Sequence, residues 1–344
     1  MLRKRTIGRL MLPCLLLTMV QLGAAGIARA GDDYYRGKQL KIIIGFGVGG
    51  SYDLVARALA RHIGKHLPGE PTVIPVSMPT AGSMNAANYI YNIAPKDGTV
   101  IGTVASGAPT MPLFYPEAKF DAAKMTWVGS AAKAIYLDVV STKVPVKTVD
   151  DIRNREIVLG ATGPGAAVYD LPRLMNAIAH FRYKLVLGYR TVADISLAIS
   201  RGEVEGVSGT TWDYESTRHA YAYRDGSMRV LLQYGQQRIP ELSDVPSAYE
   251  LVTNAEDRQA MNLLLFRQEM GKPFIAPPGL PPERVAMLRK AFMETMSDPE
   301  YIADAKKGKL EVSPLSGEAV QKIVENVANT PPSVVERVRK ILNQ

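Results

Sequence analysis

Three glycines near the start of the chain have the spacing of a loop that holds an anion. Gly45, Gly47 and Gly50 follow a short apolar run and precede a helical pattern in which Val55 and Leu59 share one face. Such a loop directs the free backbone N–H groups of a helix start, at the positive end of the helix dipole, towards a bound anion. The chemistry that this arrangement predicts is binding of a small anion, such as a carboxylate, through backbone amides.

A second loop of the same kind lies about 115 residues further along the chain. The strand-like run at residues 157–159 is followed by Thr162, Gly163 and Gly165, and then by apolar residues with helical spacing. The glycines of a single loop are explained equally well by a tight turn and by ligand binding. Two loops at corresponding places favour a ligand cleft between two similar units, because binding sites occur preferentially at domain interfaces.

The same first three glycines also fit the G-x-G-x-x-G pattern of a dinucleotide-binding turn. That fold requires in addition a carboxylate at the end of the next strand, where it holds the ribose. The next strand-like run ends near residues 76–78, which include no acidic residue. The sequence therefore favours a binding protein without a cofactor, and a secreted Rossmann-like enzyme is the less favoured alternative.

Residue types that could carry catalysis or bind a metal are scarce. His62 and His66 are four residues apart on a probable helix, and we interpret them as part of a solvated helix face rather than as metal ligands. The G-x-S-x-G pattern of a serine nucleophile does not occur. We therefore expect no catalytic residue, no metal site and no enzymatic activity.

The first thirty residues have the pattern of a signal peptide. Four basic residues up to Arg9 precede an uncharged apolar run, and Ala28 and Ala30 form a small-x-small cleavage motif. The apolar run is shorter than the roughly 20 residues of a membrane span. We expect cleavage after Ala30 and a periplasmic mature protein.

Cleavage would also change the charge and the cysteine content. The segment contains five Lys or Arg residues and no acidic residue, so its removal lowers the formal charge from +8 to +3. The main argument for a nucleic-acid partner is then lost. Cys14 is the only cysteine, so the mature chain would contain neither a disulfide nor a thiol nucleophile.

Strand-like and helix-like segments alternate along the mature chain. This alternation predicts an α/β fold with two lobes, each a mainly parallel sheet flanked by helices. Because no flexible linker separates the lobes, we expect strands to cross between them near residues 103–110 and 228–235. The predicted organisation is a signal peptide at 1–30, a discontinuous first lobe at 31–107 and 235–344, and a second lobe at 108–234, with the ligand cleft between the lobes.

Several short motifs, in the same order, resemble the substrate-binding receptors of tripartite tricarboxylate transporters, the Bug family. The two glycine loops are similar to the family patterns P-F-x-x-G-G-x-x-D and G-S-S-G-x-G. Between them, residues 78–87 are similar to R-P-G-A-G-G-x-x-G-A and residues 94–99 to A-x-P-D-G-Y/T. Residues 242–247 resemble L-P-D-V-P-T, and a P-x-G-x-P match follows at residues 277–281.

The resemblance implies a fold like that of type II periplasmic binding proteins, in which two lobes close on a ligand like a Venus flytrap. It further implies a monomeric receptor that takes a small carboxylate-containing ligand to the permease subunits of a tripartite tricarboxylate-type transporter. A sensory receptor for a membrane kinase is an alternative. The first loop has glycines where many members have prolines, and this departure predicts a pocket for a larger or less anionic molecule.

The candidate ligand-binding residues come from both lobes. Asp53 has two interpretations, because a carboxylate in the first helical turn is stabilising in itself but could also accept a hydrogen bond from a ligand. The predicted set is Val48, Gly49, Gly50, Ser51 and Asp53 in the first loop, Gly82, Ser83 and Asn85 in the following loop, and Thr162, Gly163, Gly165, Thr210, Thr211 and Asp213 in the opposite lobe.

Overall fold

The structure, a computed structural model, describes Leu2 and residues 33–343. The predicted cleavage after Ala30, and the signal peptide apart from Leu2, lie outside the described residues. Every helix within the described part is too short or too polar to cross a membrane.

Two sheets of strands form the framework of the two lobes. The first has the order β2-β1-β3-β10-β4-β11 and the second the order β7-β6-β8-β5-β9. The strands are β1 (Gln39–Ile44), β2 (Thr72–Ser77), β3 (Val100–Thr103), β4 (Thr126–Ser130), β5 (Tyr136–Ser141), β6 (Ile157–Gly160), β7 (Tyr183–Val186), β8 (Gly206–Thr211), β9 (Met228–Gln233), β10 (Pro273–Ala276) and β11 (Leu315–Ser316).

The helices connect these strands and cover the sheets. They are α1 (Ser51–His62), α2 (Met84–Asn92), α3 (Met111–Phe114), α4 (Val149–Asn154), α5 (Ala167–Ala179), α6 (Val192–Arg201), α7 (Trp212–Arg218), α8 (Ala220–Arg224), α9 (Ala248–Leu251), α10 (Ala255–Leu265), α11 (Pro282–Ser297), α12 (Pro299–Gly308), α13 (Gly317–Ala328) and α14 (Pro332–Leu342).

The two sheets repeat one pattern, which confirms the two-lobed α/β fold. Each sheet contains three parallel strands, in the spatial order β2-β1-β3 in the first sheet and β7-β6-β8 in the second. Beside the third of these strands lies an antiparallel strand that the chain enters from the other lobe. That inserted strand is β10 in the first sheet and β5 in the second. The sheets are thus mixed, because each crossing strand opposes the direction of the strands around it.

The chain leaves the first lobe later than predicted. The predicted second lobe began at residue 108, but β4 pairs with β10 and β11 in the first sheet. The chain therefore passes between the sheets in the five residues between Ser130 and Tyr136. Trp127 of β4 is fully buried, and this burial holds the strand in the first lobe. The predicted return crossing near residues 228–235 agrees with the end of β9 at Gln233.

The middle one of the three parallel strands in each lobe has a glycine loop at its carboxyl end. In β1, Leu40, Ile42 and Ile44 on one face are fully buried and Ile43 on the other face is 2% exposed, as expected of a parallel strand covered on both faces. β1 leads through the first glycine loop into α1, and β6 leads through the second glycine loop into α5. Because β1 and β6 occupy equivalent positions in the two sheets, the loops are equivalent as well.

A buried carboxylate lies on an interior strand of the second sheet. Asp138 in β5 is 1% exposed, and its carboxylate accepts hydrogen bonds from the hydroxyls of Tyr183 (2.8 Å) and Tyr234 (3.1 Å). Burial outweighs these hydrogen bonds and raises the pKa of Asp138 to about 6. Ionisation of this group therefore destabilises the folded protein near neutral pH.

The substitution Asp138→Asn is expected to stabilise the protein increasingly as the pH rises from about 4 to 7. The pKa of Asp138 is higher in the folded than in the unfolded chain, so its contribution to stability is present below the unfolded pKa and is lost as the pH rises through about 6. Asparagine keeps an oxygen acceptor and never ionises, so the gain reaches about 1–3 kcal/mol. Urea unfolding at several pH values measures it, and parallel pH profiles for the two proteins would contradict the assignment.

Candidate functional site

A cleft between the lobes contains about 610 Å³ of space, including its open mouth. The wall residues are Phe46, Gly50, Ser51, Tyr52, Ala105, Tyr136, Thr162, Ala166, Ala167, Val168, Thr191, Val192, Gly209, Thr210, Thr211, Tyr214 and Lys272.

Two long helices begin at the cleft wall without a side-chain cap. The N-cap residues are Gly50 for α1 and Ala166 for α5, and neither has a side-chain group that could accept the first backbone N–H groups. The residues that follow, Ser51 and Ala167, also line the cleft. The first N–H groups of a helix have no partner within the helix, so these two starts offer hydrogen-bond donors to an anion from opposite lobes.

The start of α6 also reaches the cleft, and a capping box engages part of its donors. The Thr191 hydroxyl accepts a hydrogen bond from the Asp194 N–H (3.1 Å), and the Asp194 carboxylate accepts one from the Thr191 N–H (3.0 Å). This capping box holds the threonine methyl group towards the first lobe. A Cβ added at Gly50 would lie 3.2 Å from that methyl group, so the lobes are in close contact here.

Several predicted residues lie in the cleft wall. Gly50, Ser51, Thr162, Thr210 and Thr211 all line it. The Oγ1 atom of Thr162 is buried and makes no hydrogen bond among the described residues, which leaves it available to a ligand. The Thr210 hydroxyl, by contrast, donates to the Glu215 carboxylate (2.7 Å).

The remaining residues of the first loop support the loop itself. Val48 is 70% exposed. Asp53 is 1% exposed, accepts a hydrogen bond from the Gly49 N–H (3.0 Å) and pairs with Arg57 (2.8 Å). Asp53 therefore braces the glycine loop, which favours the plain stabilising interpretation over contact with a ligand.

The residues of the following loop pack beneath or beside the cleft. Gly82 faces the second glycine loop, and a Cβ there would lie 2.9 Å from the Gly163 carbonyl oxygen. The Ser83 hydroxyl accepts from the Ala105 N–H (2.7 Å), and exposed Asn85 donates to Thr80 (2.5 Å). None of the three predicted residues of this loop forms part of the described cleft wall.

Three predicted residues of the second lobe, Gly163, Gly165 and Asp213, also lie outside the described cleft wall. The Gly165 N–H donates to the Asp170 carboxylate (3.1 Å), so this amide is occupied. Asp213 lines a smaller neighbouring cavity, where one of its buried carboxylate oxygens has no hydrogen-bond partner among the described residues.

Much of the wall consists of residues that the sequence analysis did not predict. The Ser106 N–H donates to the Tyr52 hydroxyl (3.1 Å), and the Ser106 hydroxyl bonds the Tyr136 hydroxyl (2.7 Å). Burial raises the pKa of Tyr136 and raises that of Tyr214 to about 12, so both rings are neutral at physiological pH. No motif marks these tyrosines, because they come from three separate parts of the chain.

Lys272 is a further wall residue without a sequence signal. Its side chain is 2% exposed, and its Nζ atom lies 5.0 Å from the centre of the Tyr52 ring. The residue precedes β10, and its backbone N–H donates to the Ser130 hydroxyl (3.2 Å) in the segment that joins the lobes.

The sequence predicted that His62 and His66 lie on a solvated helix face, and this prediction is wrong: both side chains are largely buried and contact carboxylates. His62 bonds Asp304 (3.1 Å) and His66 bonds Asp298 (2.9 Å), both in or beside α12. His62, Asp298 and Glu300 could together offer ligand atoms to a metal ion. The Lys65 ammonium group already pairs with Asp298 (2.6 Å) and Glu300 (2.5 Å), so the cluster is an ion-pair network with its own cation.

Comparisons with known proteins agree with this architecture. A family model described as tripartite tricarboxylate transporter family receptor matches residues 55–339. The UPF0065 protein in the gbd 5'region of Cupriavidus necator is 23% identical, over 92% of this chain and 93% of that protein.

Solved structures of periplasmic proteins share the fold. The periplasmic binding protein BugD has a TM-score of 0.71 and 20% identity, over 88% of this chain and 97% of that chain. MatC from Rhodopseudomonas palustris, with bound malate, has a TM-score of 0.68 and 18% identity, over 88% of this chain and 98% of that chain. With the family model matched over most of its length, the chain belongs to the tripartite tricarboxylate transporter family of receptors.

Proposed function

We propose that this protein is an exported, periplasmic receptor that captures a small carboxylate-containing ligand for the membrane permease of a tripartite tricarboxylate-type transporter. The observation that carries the proposal is the pair of uncapped helix starts, α1 and α5, at one cleft. A carboxylate placed between them would receive backbone N–H donors from both lobes. MatC, which shares the fold, has malate bound, and this supports the same ligand class.

Ligand capture would work by closure of the lobes. A ligand that bonds both helix starts favours the closed arrangement, because only that arrangement supplies both sets of donors. Gly50 and Gly82 allow the close approach, since a side chain at either position would meet the opposite lobe. The free hydroxyl of Thr162 adds a donor or acceptor that orients the ligand.

The cleft wall is suited to binding rather than to catalysis. Among the described residues, the wall contains no histidine, cysteine or carboxylate, so it lacks a thiol nucleophile and the most frequent general bases. We therefore propose a receptor that acts as a monomer, without a cofactor and without enzymatic turnover. Its export would depend on the signal peptide, with cleavage after Ala30.

A thermal-shift screen tests the proposal directly. A ligand at 100 times its Kd stabilises the folded state by about 2.7 kcal/mol, so the melting temperature should rise. The screen compares carboxylic acids with their neutral primary amides, which have nearly the same shape. We expect acids alone to stabilise the protein; stabilisation by the amides, or by no acid in a broad panel, would contradict the proposal.

A further inference from the structure

The cleft contains a single fixed charge. Of the wall residues in the described part of the chain, Lys272 is the only lysine, and none is an arginine, a histidine or an acidic residue. The side chain of Lys272 is 2% exposed, and it makes no ion pair with any residue in the described part of the chain. Its nearest aromatic neighbour is Tyr52, whose ring supplies a weak electrostatic attraction only.

A buried ammonium group without a counter-ion is costly. Removing a charge from water is unfavourable unless it is paired and hydrogen-bonded, and buried polar groups nearly always have a partner. The same side chain also lines a smaller cavity with Asp213, yet the two groups are not within ion-pair distance. An anion in the main cleft would supply the missing partner of Lys272.

The remainder of the wall is neutral and largely apolar. Phe46 and Tyr52 are stacked, with ring centres 4.4 Å apart, and Tyr136, Tyr214 and Val168 extend the apolar surface. The Tyr136 hydroxyl bonds the Ser106 hydroxyl, and the Tyr52 hydroxyl accepts from the Ser106 N–H, so the two residues offer a ligand ring surface and the Tyr52 O–H. Such a surface accommodates a planar or branched apolar body.

We infer that Lys272 determines the specificity of the cleft and selects a monocarboxylate with an apolar or aromatic body. This inference rests on the proposed function. One carboxylate would pair with Lys272 near the start of α1, since Lys272 and Ser51 line the same two cavities. That carboxylate would use the donors of the helix starts together with Lys272. A second carboxylate on the same ligand would therefore enter the neutral, largely apolar remainder of the wall and would lose hydration without gaining an ion pair.

Calorimetric titration of matched ligands tests the inference. Two series are compared: hexanamide, hexanoate and adipate, and benzamide, benzoate and terephthalate. Within each series the body is similar and the number of carboxylates is zero, one or two. For the unmodified protein we expect each monocarboxylate to bind at least tenfold more tightly than both its amide and its dicarboxylate.

The variant Lys272→Met separates the effect of charge from that of shape. Methionine has a similar length and no charge, so we expect monocarboxylate affinity to fall at least tenfold and the preference over the amide to disappear. The matched control is Lys143→Met, which removes an exposed lysine of the second lobe and should leave all affinities unchanged. Melting temperatures of both variants report whether the fold is intact.

Each other outcome has a distinct meaning. Dicarboxylates that bind as tightly as the monocarboxylates, or monocarboxylate affinity that survives Lys272→Met in a folded protein, would overturn the role of Lys272 and leave the carboxylate receptor standing. If Lys272→Met does not fold, the ratio of affinities in the unmodified protein decides the question. If neither these acids nor any acid of the thermal-shift panel binds, the proposed function itself fails.

Discussion

Replacement of Arg267 by methionine is expected to destabilise the folded protein by about 3–5 kcal/mol. Arg267 is fully buried, and its Nη2 atom pairs with Asp170 at 2.8 Å, where both side chains are at most 1% exposed. Removal of one partner of a buried ion pair strands the other charge in a medium of low dielectric constant, which causes the large cost. Urea unfolding followed by circular dichroism measures the change.

The location of this ion pair explains why its loss should also affect the cleft. Asp170 lies in the first turns of α5 and also accepts hydrogen bonds from the Tyr115 hydroxyl (2.6 Å) and the Gly165 N–H (3.1 Å). Arg267 follows α10, in the part of the chain that returns to the first sheet. The pair therefore fixes the start of α5, one of the two proposed anion-binding helix starts, against the connection between the lobes.

Two further variants distinguish the stranded charge from simple loss of packing. The double variant Arg267→Met, Asp170→Asn removes both charges and should recover part of the lost stability. Arg61→Met breaks a more exposed pair with Asp304, which should cost less than about 1 kcal/mol. Equal decreases in the free energy of unfolding for Arg267→Met and Arg61→Met would show that the buried ion pair stabilises the protein no more than the exposed one.

The substitution Gly50→Val is expected to weaken ligand binding by roughly tenfold to a hundredfold. The backbone at Gly50 is extended (φ −74°, ψ 163°), a conformation that valine also adopts, so the substitution causes no backbone strain within the first lobe. A Cβ would lie 3.2 Å from the Thr191 methyl carbon of the second lobe, and the larger valine side chain crowds the contact further. Overpacking typically costs about 1–3 kcal/mol, and here the cost falls on the closed arrangement. Isothermal titration with the preferred carboxylate measures the loss.

A compensating change in the other lobe tests this interpretation. Thr191→Ser removes the methyl group and keeps the hydroxyl that caps α6. Combined with Gly50→Val, it should restore part of the affinity, whereas alone it should have little effect. If the two substitutions act additively, contact between the lobes does not explain the loss, because independent sites are additive and touching sites are not.

The sequence was informative where function depends on local pattern. The two glycine loops, each between a strand and a helix, could be predicted because strand, turn and helix periodicities are properties of neighbouring residues. Their equivalence in the two sheets follows from the repeated strand order. Gly50, Ser51 and Thr162 were accordingly predicted and line the cleft.

Residues that reach the cleft through tertiary packing could not be predicted in this way. Lys272 directly precedes β10, and Tyr136 is the first residue of β5. Both strands are inserted between strands that are distant in sequence, and this insertion brings the two side chains to the same cleft as the start of α1. The five-residue strand β4 was not predicted. Asp53 and Gly165 were placed in the cleft by their loops, but their hydrogen bonds stay within those loops.

The most direct measurement is a crystal structure of the protein with the most stabilising acid from the thermal-shift screen. We predict a ligand carboxylate within hydrogen-bonding distance of the first backbone N–H groups of α1 and α5, between the closed lobes. A carboxylate that turns away from both helix starts, or a ligand bound outside this cleft, would contradict the account.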